Sequence, residues 1–286
     1  VRFGVTFANS GPGADPEHAV ALAGLAEEAG FDTLWTVEHA VIPAGFGSSY
    51  PYSRDGRLPG GEDVPIPDPL IWLAFVAAAT VRIRLATGIL ILPQRNPVLL
   101  AKEAATLDVL SGGRLILGVG VGWLREEFDA LGVPWPERGA RTEEYVAALR
   151  TLWTEPEPTF AGRFVSFAKA KSYPKPLRPG GVPIVVGGHS EAAARRAGRL
   201  GDGFFPAIGD VDEVARLVGI ARDTARDAGR DPLALEVTCG APRDPDAVAR
   251  LADLGVSRLT ISGVGDLESL RARFGRFRER VMDRVG

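Results

Sequence analysis

Strand-like and helix-like segments alternate along the whole chain, and this alternation limits the possible folds more than any other feature. Runs rich in β-formers cover residues 2–8, 31–37, 82–92, 114–121, 183–186, 202–206, 233–239 and 257–262. Helical patterns lie between and after them, at 15–29, 68–80, 96–110, 126–153 (in two pieces, broken around 132–136), 190–200, 211–228, 245–254 and 267–281. Three helices announce themselves by a capping residue followed by proline, in Asp15-Pro16, Asp68-Pro69 and Asn96-Pro97. The side chain accepts free N–H groups, and proline fits the first helical position. Strands that alternate with helices form a parallel sheet with right-handed crossovers. Eight such units predict a closed α/β barrel, the (β/α)8 or TIM barrel. The 286 residues modestly exceed the roughly 250 typical of that fold.

Two segments fall outside the repeat. Residues 158–173 alternate apolar and polar around Ala161-Gly162 and predict an inserted hairpin. Residues 41–67 form a Gly/Pro-rich stretch after strand two, too long for a simple connection, which reads as a functional lid or as an ordered loop that only packs on the barrel. No linker divides the chain, so residues 1–286 are expected to form one domain.

Composition excludes several function classes. The net charge of −3, with basic residues dispersed, offers no surface for nucleic acid or an anionic membrane. The longest apolar-rich stretch, 70–79, is too short to span a bilayer. Cys239 is the only cysteine, which rules out an intrachain disulfide and makes a cytoplasmic location the expectation. Residues 1–7 read as a strand, without the features of a signal peptide. No His/Asp/Glu/Cys cluster has metal-ligand spacing, so no metal is expected. The four lysines, Lys102, Lys169, Lys171 and Lys175, lie in a helix and in the hairpin region. A Schiff-base mechanism needs a lysine inside the barrel and finds none.

In a barrel of this kind, chemistry sits on the loops after the strands. Strand two ends in Glu38-His39, the only acid–histidine pair directly after a strand. His39 can exchange protons near neutral pH, or it can simply pack at the rim. Strand three contains Gly88-Ile89, which reads as a bulge that backs a ligand or as a barrel-closing kink. Strand four runs through Gly118, Gly120, Val121 and Gly122 to Trp123. This spacing is not the dinucleotide fingerprint, and it suits either a flat ligand or tight strand–helix packing. Strand five ends in Gly187-Gly188-His189-Ser190 just before a helix, a place where free N–H groups receive phosphate. A plain turn is the other reading. A rim this poor in reactive groups suits an enzyme whose cofactor carries the chemistry.

These blocks resemble the luciferase-like superfamily of flavin and deazaflavin oxidoreductases, and most closely its F420-dependent branch. The likeness rests on Leu34 through His39, on 85–97, on Gly118 through Trp123 and on 183–206, including Arg195-Arg196 and Gly201-Asp202-Gly203. The resemblance implies coenzyme F420, or alternatively FMN, lying across the barrel mouth. Gly88 and Ile89 would back the ring, where relatives have a non-proline cis peptide. Val121 and Gly122 would lie near the ring, and Gly187, Gly188, His189 and Ser190 would cradle the phosphate. His39 would handle the proton, oriented by Glu38. Phe46, Trp72 and Trp123 would shape the pocket for a small organic substrate, with Tyr50 and Tyr52 on the lid. Trp123 stands where the family's sugar-phosphate dehydrogenases carry a catalytic glutamate, so an apolar or flat substrate is expected instead. The implied function is F420-dependent hydride transfer. The alternatives are an FMN-dependent monooxygenase or a non-catalytic flavin-binding protein. A homodimer, and a flavin or F420 reductase as redox partner, follow by the same analogy.

Overall fold

A computed structural model describes every residue except Arg54, Gly209, Arg243 and Gly286. Eight parallel strands close into a barrel, with helices around it. In chain order the elements are β1 (Arg2–Thr6), α1 (Pro16–Glu28), β2 (Thr33–Thr36), α2 (Pro69–Ala77), β3 (Arg84–Thr87), β4 (Leu90–Ile91), α3 (Pro97–Leu110), β5 (Leu115–Gly120), α4 (Arg125–Ala130) and α5 (Arg138–Thr154). They continue with β6 (Phe160–Ala161), β7 (Ser166–Phe167), β8 (Ile184–Gly187), α6 (Glu191–Leu200), β9 (Gly203–Phe205), α7 (Val211–Asp227), β10 (Glu236–Gly240), α8 (Pro245–Asp253), β11 (Arg258–Ser262) and α9 (Leu267–Phe277). The ring runs β3-β2-β1-β11-β10-β9-β8-β5 and closes through β3–β5. The first and last strands pair in register from Arg2↔Arg258 to Thr6↔Ser262.

The expected third strand is two pieces. After β3 the chain bulges through a cis Gly88–Ile89 peptide and resumes as β4, which pairs with β5 at the end of the strand order. The bulge crosses so close over β5 that a Cβ on Gly118 would lie 1.8 Å from the Thr87 carbonyl oxygen. The Thr87 hydroxyl donates to the Gly118 carbonyl across the same gap (2.6 Å). The predicted hairpin is present as the antiparallel pair β6–β7, outside the barrel.

The helix caps form as their sequences require. Asp15 accepts from the His18 N–H (2.8 Å). Asp68 accepts from those of Leu70 and Ile71 (2.9 and 3.0 Å), and Asn96 from those of Val98 and Leu99 (2.9 and 3.2 Å). Each bond satisfies a donor that the first turn leaves free.

Side chains alternate across each strand. Outward residues such as Leu34, Leu85, Leu117, Val186, Phe204 and Leu259 pack on the helices in the main core. Inward residues Trp35, Ala86, Ile116, Val185 and Phe205 form a separate buried cluster. By the same alternation, Gly118, Gly120 and Gly187 face inward above that cluster. Arg84, Glu236 and Arg258 face inward below it. The interior is therefore a bulky apolar middle, a glycine-lined mouth and a charged base. Trp72 belongs to the core and not to a pocket, because it is buried and its indole N–H donates to the Gly13 carbonyl (2.7 Å).

Candidate active site

The sequence-predicted residues converge on the C-terminal end of the barrel. His39 follows β2, the Gly88–Ile89 bulge follows β3, Val121, Gly122 and Trp123 follow β5, and Gly187 through Ser190 end β8. Residues 41–67 extend over this end with no helix or strand among those described.

His39 is held from a direction that the sequence did not reveal. Its Nδ1 lies 3.0 Å from Oε2 of Glu127, a fully buried residue of α4. The other carboxylate oxygen, Oε1, accepts from the N–H groups of Ala40 (2.6 Å) and Val41 (3.3 Å). A carboxylate only accepts, so the pairing places a proton on Nδ1. Nε2 has no hydrogen-bond partner among the described residues and is the atom left for proton exchange.

Glu38 does not orient His39. Consecutive residues of extended chain point to opposite sides, and Glu38 points away. It accepts from the Ile91 N–H and from Arg95 (Nε 2.7 Å). Burial pushes its carboxyl upward, against the pull of Arg95 and the Ile91 N–H. Arg95 also reaches Asp68 Oδ2 (2.5 Å). Glu38 thus ties the end of β2 to β4 and to the cap of α2, and this structural role corrects the catalytic expectation. Asn9 adds a second tie. Its side chain donates to the carbonyls of Val37 and Pro67 (both 2.9 Å) and accepts from the Val37 N–H (2.8 Å), so it pins both ends of the long loop.

The loop places an aromatic chain across the mouth. His39 meets Trp123 edge to face (centroids 5.5 Å), Trp123 meets Phe46 (5.6 Å) and Tyr50 (5.2 Å), Tyr50 meets Tyr52 (5.5 Å), and Tyr52 meets His189 (4.8 Å). Such edge contacts are favourable for aromatic rings. Burial, with Tyr52 adding to it, pushes the Tyr50 hydroxyl up to about 12, which keeps it neutral. Glu126 latches the loop from α4, accepting from Gly47 N–H (2.8 Å), Ser48 N–H (3.1 Å) and Ser48 Oγ (2.7 Å).

The floor and far wall suit a flat, phosphate-bearing group. Ile89 lies over the glycines of the mouth, so that a Cβ on Gly120 or Gly187 would come within 2.5 or 2.4 Å of it. At β8, Gly188 adopts φ +126 and donates its N–H to the Phe205 carbonyl (3.0 Å), so that N–H is spent within the sheet. The N–H groups of His189 and Ser190 have no acceptor among the described residues. They precede the N-terminus of α6, where the helix dipole favours an anion. Ser190 caps that helix, accepting from the Ala193 N–H (3.2 Å). The buried Nδ1 of His189 is without a partner, and a buried polar atom left unpaired is costly. These donors and the glycine-lined floor fit the phosphate and ring of a flavin or deazaflavin. Gly122 is explained by packing, since it takes φ +79 and a Cβ there would lie 2.6 Å from Phe128. Val121 stays half-buried at the same rim. Among the described residues, no group of three or more His, Cys, Asp or Glu could hold a metal ion.

Comparison with known proteins places this geometry in a family. The sequence profile described as luciferase-like monooxygenase matches residues 2–254, and the chain belongs to that family. It is 36% identical over 260 residues to an uncharacterized protein of Mycobacterium tuberculosis, covering 91% of this chain and 90% of the relative. It is 35% identical over 236 residues to the F420-dependent glucose-6-phosphate dehydrogenase of Nakamurella multipartita, covering 80% of this chain and 63% of that enzyme. Among solved structures, the monooxygenase RslO1 from Streptomyces bottropensis superposes with TM-score 0.77 at 25% identity, with complete coverage of both chains. No helix of the described residues is long and apolar enough to cross a membrane.

Proposed function

We propose that this chain is an F420-dependent oxidoreductase that moves a hydride between the deazaflavin and a small, flat or apolar organic substrate. The observation that carries this reading is the His39 imidazole, fixed through Nδ1 by Glu127 and left free at Nε2 beside a glycine-lined floor. Coenzyme F420, when bound, would supply the hydride acceptor or donor. The protein's own part is to hold and to exclude. The N–H groups of His189 and Ser190 and the start of α6 would hold the phosphate, and Gly88–Ile89 would support the ring. His39 Nε2 would give or take the proton that accompanies the hydride. Trp123, Phe46 and Tyr50 would pack the substrate and keep water out, which strengthens the electrostatics of the site. The 35% identity to an F420-dependent dehydrogenase over 80% of the chain supports the cofactor.

Titration with F420 and separately with FMN, followed by fluorescence and heat, tests this reading. Preferential F420 binding, weakened in a Ser190→Asp variant that keeps the cap but adds a negative charge, is the expected result. Preferential FMN binding would replace the reading with an oxygen-using monooxygenase served by a reductase, which the likeness to RslO1 favours. Tight binding with no redox exchange over a broad substrate panel would point to a non-catalytic flavin-binding protein.

A homodimer belongs to the same proposal. Its support is the exposed apolar side chains Ile71 (74% exposed) and Phe75 (48%) of α2, with Phe75 sharing a surface groove with Val20 of α1. A cytoplasmic setting, with a flavin or F420 reductase maintaining the redox state, completes it.

A further inference from the structure

The end of the barrel opposite the mouth holds a cavity of about 350 Å³. That lies at the lower end of the roughly 300–1,000 Å³ of small-molecule pockets. Arg84, Arg150, Arg178, Asp202 and Glu236 supply its charged lining, and Gly180 and Gly181 leave one wall bare. The fold creates it because Arg84 and Glu236 start inward-facing strand positions, while Arg178 arrives on the loop that precedes β8.

The carboxylates here are already committed. Asp202 Oδ2 accepts from Arg150 (2.9 Å) and from the Ile184 N–H (2.8 Å). Glu236 Oε1 pairs with Arg2 (2.8 Å), and Oε2 faces Arg258 at 3.7 Å. Arg258, fully buried, is further held by Asp32 (Nε 2.9 Å, Nη2 3.0 Å). The guanidinium groups of Arg84 and Arg178 have neither an ion pair nor a hydrogen bond among the described residues, although they line the same cavity. Burial, then the positive charges of Arg258 and Arg178, pull the Arg84 guanidinium down to about 10, against the opposing carboxylates of Glu236 and Asp32. It stays charged at neutral pH, in a place where like charge opposes it. Two guanidiniums that line one cavity without a direct ion pair match a dianionic oxyanion, because each fork offers paired N–H donors to two oxygens.

We infer that this basal cavity binds a small organic phosphate monoester, its phosphate held between Arg84 and Arg178 and its organic part along the Gly180–Gly181 wall. The site is separate from the phosphate cradle at Ser190, which lies at the other end of the barrel.

Calorimetric and thermal-shift titrations at constant ionic strength test this, with glycerol 3-phosphate and inorganic phosphate as probes. The wild-type chain is expected to bind glycerol 3-phosphate and to be stabilised by it, and Ser190→Asp is expected to bind equally well. Arg178→Gln should weaken binding by about tenfold or more, since a charge-assisted hydrogen-bond pair is lost. Arg84→Gln should do the same. Arg178 is exposed on a loop, so its variant carries the test even if the inward Arg84 variant fails to fold. Tighter binding of the ester than of free phosphate supports the organic subsite, and equal affinity overturns that part. No binding by the wild type, unchanged binding in Arg178→Gln, or loss only in Ser190→Asp would overturn the proposal.

Discussion

Glu127 and His39, 88 residues apart in sequence, meet at 3.0 Å through Oε2 and Nδ1. This contact fixes the imidazole tautomer and also anchors the start of the long loop. His39→Ala should lower turnover by roughly 10²–10⁴, the range of a general acid–base group. Glu127→Gln should disturb the tautomer, and ¹⁵N NMR of the imidazole reads that directly. Full turnover in His39→Ala would remove the proton role.

The same contact shows what the sequence could and could not convey. The caps at Asp15, Asp68 and Asn96, and the glycines that end β5 and β8, were legible because their cause is local. The mouth residues were legible because they directly follow strands. Glu127 was not, since nothing near it in sequence signals a partner on another element. Glu38 misled because adjacency in sequence suggests contact, whereas extended backbone sends neighbours to opposite faces. The split of strand three was visible only as Gly88, because the break depends on how closely Thr87 passes over Gly118. Asn9 carried no signal, as its partners at Val37 and Pro67 meet only in the fold.

Gly120 and Gly118 should respond differently to a methyl group. Gly120→Ala meets the flexible tip of Ile89 and should cost about 1–3 kcal/mol, the usual price of overpacking. Combining it with Ile89→Ala should recover part of that loss. Gly118→Ala meets the Thr87 backbone at 1.8 Å, where no side chain can yield, and should be the more damaging. Urea denaturation compares the three.

Asp68 caps α2 and also pairs with Arg95. Asp68→Ala should cost about 0.5–2 kcal/mol for the lost cap. Burial alone would raise the Asp68 carboxyl, but the Ile71 N–H and the Arg95 guanidinium hold it below the ordinary range. Its stabilising effect is therefore complete above the usual aspartate pKa of about 3.9 and fades as pH falls through the lowered value. Thermal melts of wild type and variant should differ at pH 7 and converge in strong acid.

The loop latch should be equally indifferent to neutral pH. The Ser48 hydroxyl, with N–H groups of Gly47 and Ser48, holds Glu126 down to about 2. A depressed carboxylate keeps its contacts above its ordinary pKa and loses them as pH falls through about 2. Glu126→Ala should expose residues 41–67 to limited proteolysis at pH 7, where the wild-type loop resists. Equal cleavage of both would mean that the latch does not hold the loop.

Cys239 should ignore thiol reagents in the native protein. Burial pushes its thiol up to about 12, so almost no thiolate exists at neutral pH. Modification should follow global unfolding alone, measured as labelling rate against denaturant.

Trp35 lies between the two ends of the barrel. On one side its ring backs Gly88, where a Cβ would come within 3.0 Å. On the other, the Arg258 guanidinium stands 5.7 Å from the ring centroid. One indole is thus a partition with a compartment on either face. This side chain is fully buried and packs against Phe205, so it sits in the barrel's inner cluster and not among the surface loops. Deepening the mouth would thin the wall behind which Arg258 is sealed, so a larger ligand there would need width under the long loop and not depth.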